Sequence, residues 1–215
     1  MWYVIDTCLM MMKTSECSQF SVEFMDGTSA VFTIKLLVYD ESQKEIWDLS
    51  SSEKYEYALC TKELATESFG SKEYILAAEK YSLILKLLLS VNGDVEEDHD
   101  HKLVLVRLNL ALCFMKLNIP DGVIYHTDAV LSIIGDHEEN VKKISTAREL
   151  FVKTLYRRAW AFCAINEFEK CREDLNKLFL VDSDNSAALQ LKSSVDKKNR
   201  DSDRQMSSNL RGIFS

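Results

Sequence analysis

The sequence predicts a mainly α chain, in which a small partial α+β segment leads into three helix–turn–helix repeats closed by a capping helix. Three observations carry that expectation. Proline and glycine are scarce, one and six in 215 residues, against usual shares of about 5% and 7%, which disfavours a fold built on many tight turns. Apolar residues make up 47% and charged residues 28%, enough to bury a core and too apolar for compositional disorder. Beyond residue 45 the apolar residues recur at three- and four-residue spacings, the period of amphipathic helices.

Ahead of that boundary the pattern differs. Ser18–Phe24 and Ala30–Val38 alternate apolar and polar residues and are rich in β-branched or aromatic side chains, as strands are. Met25-Asp26-Gly27-Thr28-Ser29 between them reads as a turn. Trp2 to Lys13 is expected to form one short helix. The apolar run Met1–Met12 contains Asp6, has no basic leader and is too short to span a bilayer. The later run Leu83–Val91 is broken by Lys86, so no membrane segment is expected. The net charge of −8 argues against nucleic acid as a partner, because phosphates require a basic face. Six cysteines form no C-x-x-C pair, and four lie within apolar helical patterns, where a free thiol acts as a small hydrophobe. The reading is a reduced cytoplasmic, or also nuclear, protein with no metal and no cofactor.

The helical body repeats itself. With Ala65, Ala111 and Ala159 as anchors, the residue twelve positions on is Ala77, Val123 or Cys171, and sixteen positions on Tyr81, Thr127 or Leu175. Small residues at both places suit two antiparallel helices whose backbones approach closely. The turns are expected at Gly70-Ser71, Asn118-Ile119-Pro120 and Ile165-Asn166-Glu167. These units resemble the tetratricopeptide repeat (TPR), a helix–turn–helix of about 34 residues; the resemblance implies a right-handed superhelix. Here the anchors lie 46 and 48 residues apart, so extra residues are expected near 90–101 and 135–145. Ser186–Arg204 is expected to be the polar capping helix that such a stack needs. The expected divisions are 1–45 for the α+β segment, 46–183 for the repeats, and 184–215 for the capping helix and tail.

A stack of helix pairs curves into a concave surface. The first helices of the three repeats carry Lys62 and Thr66, then Asn109, then Lys153 and Arg157. Spacing of i,i+4 puts Lys62 with Thr66, and Lys153 with Arg157, on single helix faces. Three cations and two neutral hydrogen-bonding groups in one groove of an acidic protein would form a local anion site. A carboxylate is the natural guest, since charge-assisted hydrogen bonds are about twice as strong as neutral ones. The set resembles the two-carboxylate clamp of co-chaperone TPR domains, with Thr66 standing where Asn is usual and Ala65 replacing the glycine before it. That resemblance implies binding of the free C-terminal Glu-Glu-Val-Asp (EEVD) tail of a cytosolic heat-shock chaperone, of the ninety-kilodalton or else the seventy-kilodalton class.

The flanks resemble the FKBP-type immunophilins. Lys44–Leu49 (KEIWDL), followed by SSSEKYEYALCTKE, is similar to their junction between isomerase-like domain and repeats. Trp2–Glu23 and Ala30–Val38 are similar to that domain's helix and strands, and Asn209–Ser215 (NLRGIFS) to the end of such tails. The repeat resemblance spans Ser51–Arg204. An isomerase-type domain is of ordinary size, about a hundred residues, and fewer than half precede the repeats. The pocket aromatics and the long flap loop have no counterpart, the latter replaced by MDGTS. The expectation is therefore no peptidyl-prolyl isomerase activity and no tacrolimus-type ligand; the N-terminal fragment either packs on the repeat body or reflects a truncated gene model.

Other polar features read as structural. His99-Asp100-His101 lacks tetrahedral ligand spacing and reads as a solvated acidic loop. Arg158 and Trp160 are expected to pack between repeats, Trp47 to dock the linker, the Leu9–Met12 cluster to be core, and Cys171 to fill a small packing position. The functional expectation is a non-catalytic co-chaperone or adaptor that holds a chaperone tail and delivers a client protein. A scaffold for another acidic protein and, third, a prolyl isomerase remain as alternatives.

Overall fold

The computed structural model describes residues 8–9, 11–12, 16–23, 27–35, 45–92, 97–135 and 145–213, with side chains of the last stretch described over 147–200. The chain divides into two compact units, Met1–Glu45 and Ile46–Ser215.

In the first unit, β1 (Cys17–Glu23) and β2 (Ser29–Lys35) form an antiparallel pair. Alternation puts Phe20, Val22, Phe32 and Ile34 on the less exposed face. Phe20 stands opposite Phe32, with ring centroids 6.1 Å apart. Such cross-strand aromatic pairs set the register of a two-stranded ribbon. Gly27 sits at φ +80° in the connection, a conformation that costs glycine nothing. Of the expected helix over Trp2–Lys13, Cys8 and Leu9 are helical, Met11 lies in a turn and Met12 is irregular, and the rest lies outside the described residues, as do Phe24 and residues 36–38 of the expected strands. Met11 is exposed, so the expected Leu9–Met12 core cluster does not hold there.

The second unit is helical: α1 (Ser51–Gly70), α2 (Tyr74–Leu89), α3 (His99–Lys116), α4 (Pro120–Ile134), α5 (Ser145–Ala164), α6 (Phe168–Val181) and α7 (Ser186–Ile213). Helices pair as α1 with α2, α3 with α4 and α5 with α6, and each pair packs on the next. The anchors explain the closeness. Ala65, Ala111, Ala159, Ala77, Val123 and Cys171 are all fully buried, because any larger side chain there would hold two helix backbones apart.

Starts and stops of these helices are chemical. Ser50 and Glu53 make a reciprocal capping box on α1, satisfying two otherwise orphaned N–H groups. Pro120 opens α4, where its missing N–H is no loss, and Asn185 accepts from the Ala188 N–H at the start of α7. Buried Lys54 donates to the Ser90 carbonyl at 2.6 Å, beyond the end of α2, and Arg148 donates to the Val181 carbonyl at 2.6 Å, at the end of α6. Both stand eleven residues before their repeat's anchor, so the same position twice ties a first helix to the carboxyl end of its partner, where cations are favoured.

Each intra-repeat turn contains one left-handed residue, seven positions after its anchor: Lys72 (φ 64°), Asn118 (φ 57°) and Asn166 (φ 64°). The first turn differs from the sequence expectation. Gly70 ends the helix, and Lys72 takes the positive φ. Trp47 also departs from expectation: it is 74% exposed, and Ile46 and Leu49 pack on the first core instead. Of the extra residues expected near 90–101, 99–101 open α3, while 93–96 and 136–144 lie outside the described residues. The capping helix runs past Arg204 to Ile213.

Arg158 ties the two helices of repeat three together and reaches back to repeat two. It donates from Nε and Nη2 to both carboxylate oxygens of buried Asp174 on α6 (2.8 and 2.6 Å) and from Nη1 to Asp128 on α4 (2.7 Å). Such bidentate pairing is the strong form of ion pair. Trp160 packs beside Ala111, Val123 and Ala161.

Candidate functional site

On α1, Tyr55, Ala58 and Lys62 share a face at i, i+3 and i+7; on α3, Lys102, Val106 and Asn109 do so at i, i+4 and i+7. Together these two stripes line an open hollow, backed by Ile84 and Leu88 of α2. Lys62 and Asn109, chosen from sequence, therefore meet at one concave place. Its walls are apolar and its polar groups few, the usual composition of a site that orients a guest by a small number of contacts.

Arg157 arrives from α5, which packs on α3. Its Nη1 donates to the carbonyl of Leu108, the residue before Asn109. Burial pushes the guanidinium down to about 10, with the neighbouring Cys113 thiol pulling it back up, so it is charged at neutral pH. Burial likewise pushes Cys113 up to about 11, against the opposing field of Arg157; that thiol is inert. A guanidinium carries five donors in a fixed fork, so Arg157 can hold a backbone carbonyl and still recognise an anion. Lys153, one turn earlier, is exposed and 3.5 Å from Glu149 Oε2, a pair that solvent largely screens.

Thr66 is placed differently. Of the five residues chosen from sequence, only Lys62 and Asn109 line the hollow; Thr66, Lys153 and Arg157 do not. The Thr66 hydroxyl donates to the Lys62 carbonyl at 2.8 Å and lies 3.4 Å from the Tyr81 hydroxyl. A hydroxyl has a single proton, and this one has an acceptor inside its own helix.

The His99-Asp100-His101 run opens α3 rather than forming a loop, and His99 Nδ1 sits 2.8 Å from the Tyr55 hydroxyl. Residue type and local spacing misread it, because the partner lies 44 positions away. Among the described residues no three His, Cys, Asp or Glu side chains are gathered to hold a metal ion, and no helix is long and apolar enough to cross a membrane. Cys171 is fully buried, and burial pushes its thiol up to about 12, which suits packing and not nucleophilic chemistry. Sequence reasoning passed over Lys102. The signal was available as its seven-residue spacing from Asn109 on an otherwise apolar face.

Three stacked helix pairs, with a capping helix and a concave hollow lined from the first helices, define a tetratricopeptide-repeat fold. No family model matches the chain. Its homologues are FKBP-family TPR proteins. It is 30% identical over 151 residues to the bovine (Bos taurus) peptidyl-prolyl cis-trans isomerase FKBP4, a match covering 69% of this chain and 30% of that protein. It is 26% identical over 211 residues to the human FK506-binding protein-like, covering 98% of this chain and 54% of that one. The chain thus spans about a third to a half of these relatives. Among solved structures, it superposes on the C-terminal TPR-containing domain of a Plasmodium falciparum FK506-binding protein with a TM-score of 0.62 at 22% identity, over 74% of this chain and 99% of that domain. The Saccharomyces cerevisiae Hsp90 co-chaperone Cns1 gives a TM-score of 0.57 at 23% identity, over 75% of this chain and 45% of that one.

Proposed function

We propose that this chain is a non-catalytic TPR co-chaperone or adaptor of the cytoplasm and nucleus. Its groove holds the C-terminal EEVD-type tail of a heat-shock chaperone of the ninety-kilodalton class, with the seventy-kilodalton class as the neighbouring option. Residues 46–183 form the binding domain and 184–215 its cap. Lys62 and Asn109 hold the terminal carboxylate, and Lys153 and Arg157 hold acidic side chains and backbone nearer the middle of the groove. Thr66 contributes least, its proton being engaged within α1.

The observation that carries this reading is that Lys62 and Asn109 line one hollow; Arg157, outside that lining, bonds the Leu108 carbonyl on the same helix as Asn109. The kinship with FKBP-family TPR proteins supports it, as does the fold shared with a yeast Hsp90 co-chaperone. Several charge-assisted contacts of about 1.5–3 kcal/mol each, less the cost of ordering the tail, place the affinity near micromolar, about −8 kcal/mol.

Calorimetry with an EEVD-ended peptide tests it. Lys62→Ala is expected to weaken binding by about tenfold, as loss of one charge-assisted contact, and capping the peptide's terminal carboxyl as an amide to weaken it at least as much. Lys62 is exposed, so the variant keeps its fold. Equal affinity in both controls refutes the clamp; partners recovered without a chaperone would move the reading to a scaffold for another acidic protein. The same protein is expected to leave prolyl isomerisation at its uncatalysed rate in a standard peptide assay.

A further inference from the structure

The hollow that takes Lys62 and Asn109 has a second cationic end. Lys102 lines it too, two helical turns before Asn109, with its ammonium 5.4 Å from the centre of the Tyr55 ring. Tyr55 itself stands two turns before Lys62. The two helices therefore present matched pairs, Lys62 with Asn109 at one end and Tyr55 with Lys102 at the other. Seven residues of helix rise about 10 Å, which sets the separation of the two ends. An extended peptide covers the same distance in about three residues.

We propose that Lys102 is a specificity-determining residue that reads a second carboxylate, three positions upstream of the peptide's C-terminal residue. This rests on the clamp reading above, in which the terminal carboxylate lies on Lys62 and Asn109. Tyr55 holds the ammonium over the hollow through its ring face, an attraction that strengthens as water is excluded. Asp98, one turn away, pairs with Lys102 in this structure, so a ligand carboxylate is offered the ammonium that an intramolecular carboxylate already recognises. The side chain is 33% exposed: accessible to a guest, yet more shielded than Lys153 at 54%. A cation so placed discriminates between acidic tails by the register of their carboxylates along the hollow.

The test is a double-mutant cycle on the full chain by calorimetry. Wild type and Lys102→Gln are each titrated with two N-terminally acetylated peptides, one ending in EEVD and one ending in AEVD. Wild type is expected to bind the EEVD peptide about fivefold more tightly, the scale of a partly shielded ion pair. Lys102→Gln is expected to bind both peptides alike, at the wild-type affinity for AEVD. A sequence ending in EAVD is expected to keep its sensitivity to Lys102→Gln, which fixes the register. Additive effects, with wild type still binding EEVD and losing it on amide capping, overturn this inference alone. Absence of any wild-type binding removes the clamp and Lys102's role together.

Discussion

Acid should destabilise this protein through His126 before its carboxylates are titrated out. The imidazole is buried between α3 and α4, 7% exposed. Its ring is stacked on Phe114 at 5.5 Å and meets Tyr125 edge-on at 5.0 Å. Nδ1 is buried with no hydrogen-bond partner, and the Arg107 guanidinium adds a like charge against protonation. Burial first, and Arg107 second, push the pKa from 6.5 down to about 4. A folded-state pKa below the unfolded value means that the unfolded chain binds the proton first. The neutral ring's contribution is whole above pH 6.5 and drains away as pH falls toward 4. At 1.36 kcal/mol per unit, the loss is about 2 kcal/mol at pH 5 and about 3 kcal/mol at pH 4. Urea denaturation of wild type and His126→Phe across pH 8 to 4.5 isolates the effect, since both share every other titrating group. Phenylalanine keeps the stack and removes the orphaned nitrogen, so the two proteins should be within about 1 kcal/mol at pH 8. The gap should then widen in favour of His126→Phe by about 2 kcal/mol at pH 5. Parallel curves, or an NMR titration of His126 near 6.5, would refute the argument.

Four further outcomes follow from the repeat body. Asp174→Ala leaves Arg158 without its bidentate acceptor and should cost about 3–5 kcal/mol in denaturant unfolding, as breaking a buried pair does; Asp128→Ala, whose partner oxygen is on a 54% exposed side chain, should cost under about 1 kcal/mol. Lys72→Gly relieves the left-handed backbone at φ 64° and should raise stability by about 0.5–1 kcal/mol. Gly70→Ala, where a Cβ meets nothing within 4 Å and φ is not positive, should do no harm.

Much of the architecture was readable along the chain. The alanines at 65, 111 and 159 mark where helices must touch, and their counterparts twelve residues on are buried with them. The two strands were legible from alternation, within a residue or so at their starts. The sequence places the first turn at Gly70-Ser71, but the helix runs on through Gly70 and the left-handed residue is Lys72. Trp47 is expected to dock the linker, but it is exposed and the core takes Ile46 and Leu49 instead.

Residue spacing by itself determined the helical period, the three-fold repetition, and which first-helix faces carry Lys62, Asn109, Lys153 and Arg157. It could do so because those are local properties of a 3.6-residue turn. Only the tertiary structure decided what lies across from each face. Lys62 meets Asn109, Lys54 reaches Ser90, Tyr55 finds His99, and Arg158 spans to Asp128 and Asp174. Those encounters depend on the packing of whole helices against one another, and a helix's own sequence fixes its face without naming the neighbour that the face will meet.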